Sequence, residues 1–322
     1  DMRAVAALCA LAAFAFVPSA HAQSYPAKPI RWIVTFPPGG PTDVIARMVG
    51  AKLTEAWGQQ VVIDNRAGAG GVIGTELAAK SAADGYTLLF GTSSGLSVNP
   101  ALSSKLPYDP ARDFAPVSLL VINPQILVVN NAVPVNSLKE LIALAKSRPG
   151  QLNYGSVGRG SPNHLGMELL KSLAGIEMVH VPYKGTSPAV TDLLAGQVQL
   201  LFNSMPSVLP LVKSGKLKGL AVGSAQRSPA APEIPTIAEA GVPGFEYITW
   251  YGMFAPARTP VNIVAKLNAQ VVKILAEPEM AQRLASQGAE PRSSTPAELA
   301  TFMRDETERW KKVIRSAGIK AE

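Results

Sequence analysis

Gly91-Thr92-Ser93-Ser94-Gly95 has the Gly-x-Ser-x-Gly spacing of a nucleophile elbow, in which a serine sits exposed on a sharp strand-to-helix turn. Acyl transfer through Ser93 would need a histidine later in the chain, after an acid, and none follows His180. A hydrolase is therefore only a remote reading. Pro38-Gly39-Gly40-Pro41 and Gly68-Ala69-Gly70-Gly71 are glycine-rich, yet neither has the Gly-x-Gly-x-x-Gly spacing or the following Lys-Ser/Thr of a phosphate loop. No nucleotide cofactor is expected from them. His164 and His180 have no cysteine partners and no tight acidic cluster beside them, so no metal site is expected either. The chain is read as having no catalytic residue.

What remains is equipment for holding an anion. In Val34-Thr35-Phe36-Pro37-Pro38-Gly39-Gly40-Pro41-Thr42-Asp43 an apolar strand ends in a Pro/Gly corner and restarts as an amphipathic helix. Such a corner offers a ligand backbone N–H groups and a helix start. Further loops rich in Gly, Ser, Thr and Asn stand at the carboxyl ends of other expected strands, where open α/β sheets bind ligands. Amides and hydroxyls can bind a carboxylate without leaving an unpaired lysine or arginine in a closed cleft.

The elements that position these loops follow from periodicity. Ile30 to Phe36 reads as a buried strand and Asp43 to Ala56 as a helix with an inward stripe of Val44, Ile45, Met48, Val49 and Leu53, capped by Thr42. A strand at Val61 to Asp64, a glycine-rich turn and helix from Gly68 to Lys80, a strand at Thr87 to Gly91 and a loop at Thr92 to Gly95 continue the order. A second unit repeats it with strands at Asn153 to Ser156, Glu177 to Val181, Leu200 to Asn203 and Leu217 to Val222, and helices at Ser137 to Ser147, His164 to Leu173, Pro188 to Ala195 and Pro206 to Ser214. Alternating strand, loop and helix predicts open, mostly parallel α/β sheets. Two long apolar segments, Val117 to Asn130 and Glu246 to Pro256, predict extended crossings between two lobes. In the first, only Ser118, Asn123, Pro124 and Gln125 interrupt the apolar run. C-terminal helices over Pro260 to Leu275, Glu279 to Gln287 and Pro296 to Ala317 are expected to return to the first lobe.

A chain of 322 residues exceeds what one core usually organises. The predicted lobes are 23–122 with 252–322, and 123–251, with hinge segments near 119–130 and 246–256. Residues 1–22 read as a signal peptide: Arg3 precedes the apolar run Ala4 to Val17, and Ala20-His21-Ala22 places cleavage before Gln23. The single cysteine, Cys9, lies inside that leader, so the mature protein is expected to lack both thiol and disulfide. Export without disulfides fits the periplasm of a Gram-negative cell. A net charge of +7 arises from basic residues scattered singly, and Lys311-Lys312 beside Arg309 and Arg315 stand among acids on a terminal helix, a solvated face rather than a nucleic-acid site.

Several blocks together resemble a known family: Phe36-Pro37-Pro38-Gly39-Gly40-Pro41-Thr42-Asp43, Asn65-Arg66-Ala67-Gly68-Ala69-Gly70-Gly71, Asp84-Gly85-Tyr86-Thr87-Leu88-Leu89, Leu106-Pro107-Tyr108-Asp109, His180-Val181-Pro182-Tyr183-Lys184-Gly185, Asp192-Leu193-Leu194-Ala195-Gly196 and Pro235-Thr236-Ile237-Ala238-Glu239-Ala240-Gly241. In their order and spacing they resemble the extracytoplasmic solute receptors of tripartite tricarboxylate transporters, also called Bug receptors, from about Tyr25 to the C-terminus. The resemblance implies a two-lobed periplasmic binding protein-like fold of type II that closes on one carboxylated metabolite and delivers it to membrane permease subunits. Carried onto this chain, it places the first-lobe grip on Phe36, Pro38, Gly39, Gly40 and Asp43, with Thr92 and Ser93 beside it. The second lobe would offer Ser156, Gly158, Ser161, Asn163, His164, Tyr183, Gly185, Thr186 and Asn203. Asn203 stands where the family frequently has Asp; an amide removes a negative charge from the cleft, which favours a second ligand carboxylate or a neutral ring over an amino-acid ammonium.

The expected function is therefore capture of a dicarboxylate, tricarboxylate or aromatic acid by a monomeric receptor without cofactor. The alternative is a sensor that reports the same ligand to a signalling kinase. Asp43 and Arg66 have two readings each, ligand contact or local brace, and Asp192 reads as a loop brace. Trp250 and Tyr251 read as hinge packing or as an aromatic wall for the ligand.

Overall fold

The computed structural model describes residues 25–103, 105–158 and 161–316. The expected signal peptide and the loop residues 159 and 160 lie outside them.

The first lobe begins with β1 (Ile30–Val34), α1 (Pro41–Trp57), β2 (Val61–Asn65), α2 (Val72–Ala79) and β3 (Thr87–Thr92). β1 runs parallel to both β2 and β3. Alternation along these strands splits their side chains between two layers. Trp32, Val34, Leu88 and Phe90 pack with Ile45, Val49 and Leu53 of α1, whereas Ile33 and Leu89 face Leu96, Trp250 and Phe254 on the opposite side.

After a π-helical turn at Ser94–Val98 and the short α3 (Asn99–Leu102) and α4 (Pro110–Asp113), the chain enters β4 (Phe114–Asn130). This strand belongs to two sheets. Residues from Phe114 to Pro124 pair antiparallel with β9 (Ile248–Pro256), and residues from Gln125 to Asn130 pair antiparallel with β7 (Leu200–Ser204) and β8 (Leu217–Val222). β9 in turn pairs antiparallel with β3, so β9 and the first part of β4 lie in the first sheet. The strand order is β2-β1-β3-β9-β4-β7-β5-β6, where β5 is Asn153–Ser156 and β6 is Val179–Pro182.

The second lobe adds α5 (Leu138–Ser147), α6 (Pro162–Ala174), α7 (Thr186–Leu194) and α8 (Met205–Lys213). Its sheet likewise divides two layers. Leu127, Val129, Tyr154, Leu200 and Phe202 pack toward α5 and α6, and Ile126, Val128 and Leu201 toward α7 and α8. The chain closes with α9 (Val261–Leu275), α10 (Pro278–Ser286), the short β10 (Glu290–Pro291) beside β4, and α11 (Pro296–Ser316). Among the described residues no helix is long and apolar enough to cross a membrane.

Four expectations need correction. Thr42 is not the cap of α1: Gly40 is, because Pro41 takes the first helical position, where its missing N–H costs nothing. Thr92 to Gly95 is not a plain loop, since burial of Leu96 and Val98 continues the chain as a π turn. The last helix does not simply rejoin the first lobe. Leu299, Phe302 and Met303 pack in the first-lobe layer, while Trp310, Val313 and Ile314, further along the same face, complete the second-lobe core. Trp310 meets Tyr247 edge-on at 5.1 Å. Arg309 likewise departs from the solvated face, pairing with the buried Glu306 and with Glu246, whereas Lys311 pairs with Glu308 in solvent.

Candidate functional site

A cleft of about 600 Å³ opens between the two lobes, within the range of small-molecule sites. It lies at the carboxyl ends of β1, β3 and β7 and at the loops that follow β5 and β6. Phe36 to Thr42, Thr92, Ser93 and Ser94 line the first-lobe side; Val157, Pro162, Asn163, Thr186, Asn203 and Ser204 line the second. Gln125 of β4 with Thr249 and Tyr251 of β9 form the wall contributed by the crossing strands. No ionisable carboxylate, lysine, arginine or histidine is among these residues.

Helix starts converge on this space. α1, the π turn, α6, α7 and α8 each begin at or beside a lining residue. The first N–H groups of a helix have no partner inside it, and the aligned peptide dipoles make that end partially positive. The N-caps Gly40 of α1, Gly185 of α7 and Ser204 of α8 make no side-chain capping bond. No side-chain cap occupies the amide donors that follow them. α6 is capped by Ser161 Oγ accepting from His164 N at 3.4 Å, and at the π turn Thr92 Oγ1 accepts from Gly95 N at 3.3 Å.

Asp43 stands behind the first-lobe corner. Its Oδ2 accepts from Gly39 N at 2.9 Å and from Arg47 Nε at 3.0 Å. Arg47 Nη2 also donates to Asn65 Oδ1, and Asn65 Nδ2 donates to Phe36 O at 3.0 Å, so one polar chain clamps both ends of the corner. Gly39 has φ +80°, a left-handed conformation that a glycine adopts without steric penalty. Burial pushes the Asp43 carboxyl up, but the Arg47 guanidinium and the Gly39 N–H outweigh it and hold the group below the usual carboxylate value. At the next strand end, a Cβ on Gly91 would lie 2.4 Å from Leu96 Cδ1 and 2.6 Å from the Phe254 ring, so the close packing under Thr92 and Ser93 requires glycine.

In the second lobe the amides of Asn163 and Asn203 are ordered by their neighbours. Asn163 Nδ2 donates to the Phe202 carbonyl at 2.6 Å and to Asn203 Oδ1 at 2.8 Å. Asn203 Oδ1 accepts a further bond from Ser204 N at 2.9 Å. Asn203 Nδ2 is buried and has no partner.

The structure thus brings Phe36, Pro38, Gly39, Gly40, Thr92, Ser93, Asn163, Thr186 and Asn203 to one cavity. Asp43, Ser156, Gly158, Ser161, His164, Tyr183 and Gly185 are not among its lining residues. Ser156 Oγ is engaged with His180 Nε2 at 2.6 Å and with Gly158, and His164 stacks on His180 with ring centres 4.0 Å apart. Ser161 donates to Gly158 O, and Gly185 caps α7 at φ +118°. Tyr183 donates to Asp192 at 2.8 Å; burial, then that carboxylate, pushes the phenol up to about 12. Arg66 pairs with Asp64, which also binds Arg31. Gln125, Thr249, Ser204 and Pro162 were not anticipated as wall residues. The signal for Gln125 was present, since an uncharged polar side chain interrupts a strand otherwise buried on both faces.

Two larger depressions, of about 860 and 660 Å³, lie along α11. The first sets Glu246, Glu298, Asp305 and Glu306 against Arg292 and Arg309, an excess of carboxylates that disfavours an anion. The second lies on one side of the first lobe, lined by α4, α11 and neighbouring loops. Among the described residues, no group of three or more His, Cys, Asp or Glu is placed to hold a metal ion.

Two α/β lobes joined by crossing strands, with helix starts from both facing one cleft whose described lining carries no charged side chain, define a solute-binding receptor. The chain belongs to the tripartite tricarboxylate transporter family receptor group (TctC), whose family model matches residues 45–319. It is 44% identical over 300 residues to the protein BugT of Bordetella pertussis, covering 93% of this chain and 92% of that one. Among solved structures it is similar to Rpa4515 of R. palustris with adipate (40% identity, TM-score 0.78, 92% and 99% of the two chains). It is also similar to MatC of Rhodopseudomonas palustris with bound malate (35% identity, TM-score 0.74, 90% and 100%). The family is one of receptors, not enzymes.

Proposed function

We propose that this chain is a periplasmic receptor that captures a small carboxylate between its lobes and delivers it to the membrane permease of a tripartite tricarboxylate transporter. The observation that carries the reading is the wall of the cleft, which holds uncapped helix starts from both lobes and, among the described residues, no ionisable side chain of the acidic or basic types. Such a wall stabilises an anion by oriented dipoles and costs little to close, because no counter-charge is desolvated. The relatives with adipate and malate support the ligand class.

We take Phe36, Pro38, Gly40, Thr92, Ser93, Asn163, Thr186 and Asn203, with Gln125, Thr249 and Tyr251, as the contact set. Gly39, Asp43, Ser156, Gly158, Ser161, His164, Tyr183 and Gly185 shape the loops behind them. The lobes are read as 23–122 with 252–322 and as 123–251, hinged where β4 changes partners at Gln125. Open lobes sample closure, and a ligand touching both favours the closed form by its differential contact energy. A micromolar affinity corresponds to about 8 kcal/mol, within reach of several satisfied hydrogen bonds and shape fit. The protein is read as a monomer, since its exposed large hydrophobics (Val62, Ile73, Leu173, Val179, Leu194, Val261 and Val272) are spread over six elements.

Thermal-shift screening of a carboxylic-acid panel tests the binding step, because a ligand of the native state raises the melting temperature by mass action. A panel in which no carboxylate raises it refutes the reading. Uptake of the labelled ligand by a deletion strain then separates transport from signalling to a kinase: unchanged uptake refutes the delivery role. Light scattering checks the monomer.

A further inference from the structure

We infer that Asn203 sets the chemistry of the second-lobe end of the cleft, making it a donor that accepts a ligand carboxylate or keto oxygen and rejects an ammonium. The inference rests on the carboxylate-receptor reading and adds which group the ligand carries at its far end.

The orientation of this amide follows from its neighbours. The Phe202 carbonyl can only accept, so the Asn163 group bonded to it at 2.6 Å must be the NH₂. That same NH₂ also donates to Asn203, 2.8 Å away, and the Ser204 N–H donates to the same Asn203 atom at 2.9 Å. Two donors converging on one atom require it to be the carbonyl oxygen. Turning Asn203 over would set its NH₂ against both donors at once. The remaining group, Nδ2, is therefore a fixed donor on a side chain 2% exposed, without a partner, on a residue that lines the cleft.

A buried donor left unpaired costs free energy that a suitable ligand recovers. A carboxylate or keto oxygen placed there supplies the acceptor. An ammonium group instead brings more donors to a donor, and among the described residues no carboxylate side chain lines the cleft to neutralise it. An alkyl end leaves Nδ2 unpaired in the closed state. With first-lobe helix starts holding one carboxylate, the cleft thus selects small acids that carry an acceptor at both ends.

The test compares a chain-length series of α,ω-dicarboxylates, with the matched keto acids, against the matched ω-amino acids, by titration calorimetry on the wild-type protein. The expected result is tighter binding of the acceptor-ended member of the best-bound length by about tenfold or more, the discrimination typical of a buried unpaired polar group. Asn203→Asp keeps the shape and keeps an oxygen for Asn163 and Ser204, but turns the free group into an anionic acceptor. It should reverse the preference toward the ω-amino acid. Wild-type affinities equal within about threefold between matched ligands, a difference too small for a paired-versus-unpaired buried group, overturn the inference while leaving the receptor reading intact. So does an unreversed preference in folded Asn203→Asp protein. If that variant does not fold, the wild-type comparison decides alone. Should no carboxylate of any series bind, the receptor reading fails and this inference with it.

Discussion

Replacing Asp43 probes whether the first-lobe corner is held from behind. Its Oδ2 accepts from the Gly39 N–H at 2.9 Å and from Arg47 Nε at 3.0 Å. A hydrogen bond to a buried charged group is worth about 1.5–3 kcal/mol. The Arg47 bond adds about 0.3–0.5 kcal/mol, the value of an i,i+4 pair, because the Arg47 side chain is 54% exposed and largely screened. Asp43→Ala should therefore lower stability by about 2–3 kcal/mol, and Asp43→Asn, which retains an accepting oxygen for Gly39, by about 1–2 kcal/mol. The pH dependence has a definite sign. The folded carboxyl lies below its ordinary value, so its contribution is complete above about pH 4 and is lost as pH falls through the folded pKa. Asn does not titrate there. Urea unfolding of wild type and Asp43→Asn from neutral to acid pH should show the gap between them narrowing as pH falls. A gap constant over that range, or an Asp43→Ala loss under about 0.5 kcal/mol, the scatter of ordinary surface substitutions, would refute the brace.

Other substitutions follow from close packing and burial. Gly166→Ala on α6 would set a Cβ 2.4 Å from two carbons of the Phe202 ring, and should lower stability by about 1–3 kcal/mol in denaturant unfolding. Trp310→Ala removes a fully buried indole from the second-lobe core and should cost about 3–5 kcal/mol, with loss of the near-ultraviolet signal of Tyr247 packed against it. Burial pushes Tyr108 and Tyr251 up to about 12, so ultraviolet titration should show these phenols ionising later than in the unfolded chain, where tyrosine titrates near 10. Since the unfolded state loses those protons first, stability should fall as pH rises from about 10 toward 12.

Much of the architecture was legible because strand and helix periods leave different marks. Trp32 and Val34 against Ile33, and the stripe of Ile45, Val49 and Leu53, specify a strand with two buried faces and a helix with one. The rule that ligands sit at carboxyl ends of strands pointed to the loops after β1 and β3, and the family resemblance placed the grip within them at Phe36, Gly40, Thr92 and Ser93, all of which line the cleft. The second lobe was less readable. Ser156, Ser161 and His164 have the residue types of a binding site, but their polar groups are turned to one another and to His180. Residue type alone does not say whether a hydroxyl finds its partner in the protein or outside it. Gln125 and Thr249 were hidden for another reason, while Tyr251 has two readings in the sequence, hinge packing or ligand wall. Which atoms of a two-sheet strand face the gap depends on the point where β4 changes partners, and that register is a long-range property. The path of α11 escaped for the same reason: an amphipathic stripe shows that a helix is buried on one side and does not name its neighbour.

That path bears on when the protein can become folded during its making. The second lobe's strands lie between Gln125 and Val222, yet its core includes Trp310, Val313 and Ile314. The first lobe waits as well, for Leu299 and Met303. Neither lobe has its full apolar interior until the last helix has been synthesised, although the first hundred residues of each could otherwise begin to collapse. A chain that must cross a membrane before it folds gains from that delay, because native contacts of such large sequence separation form slowly. α11 thus ties the completion of both apolar interiors to a single segment that follows every strand of either lobe in sequence.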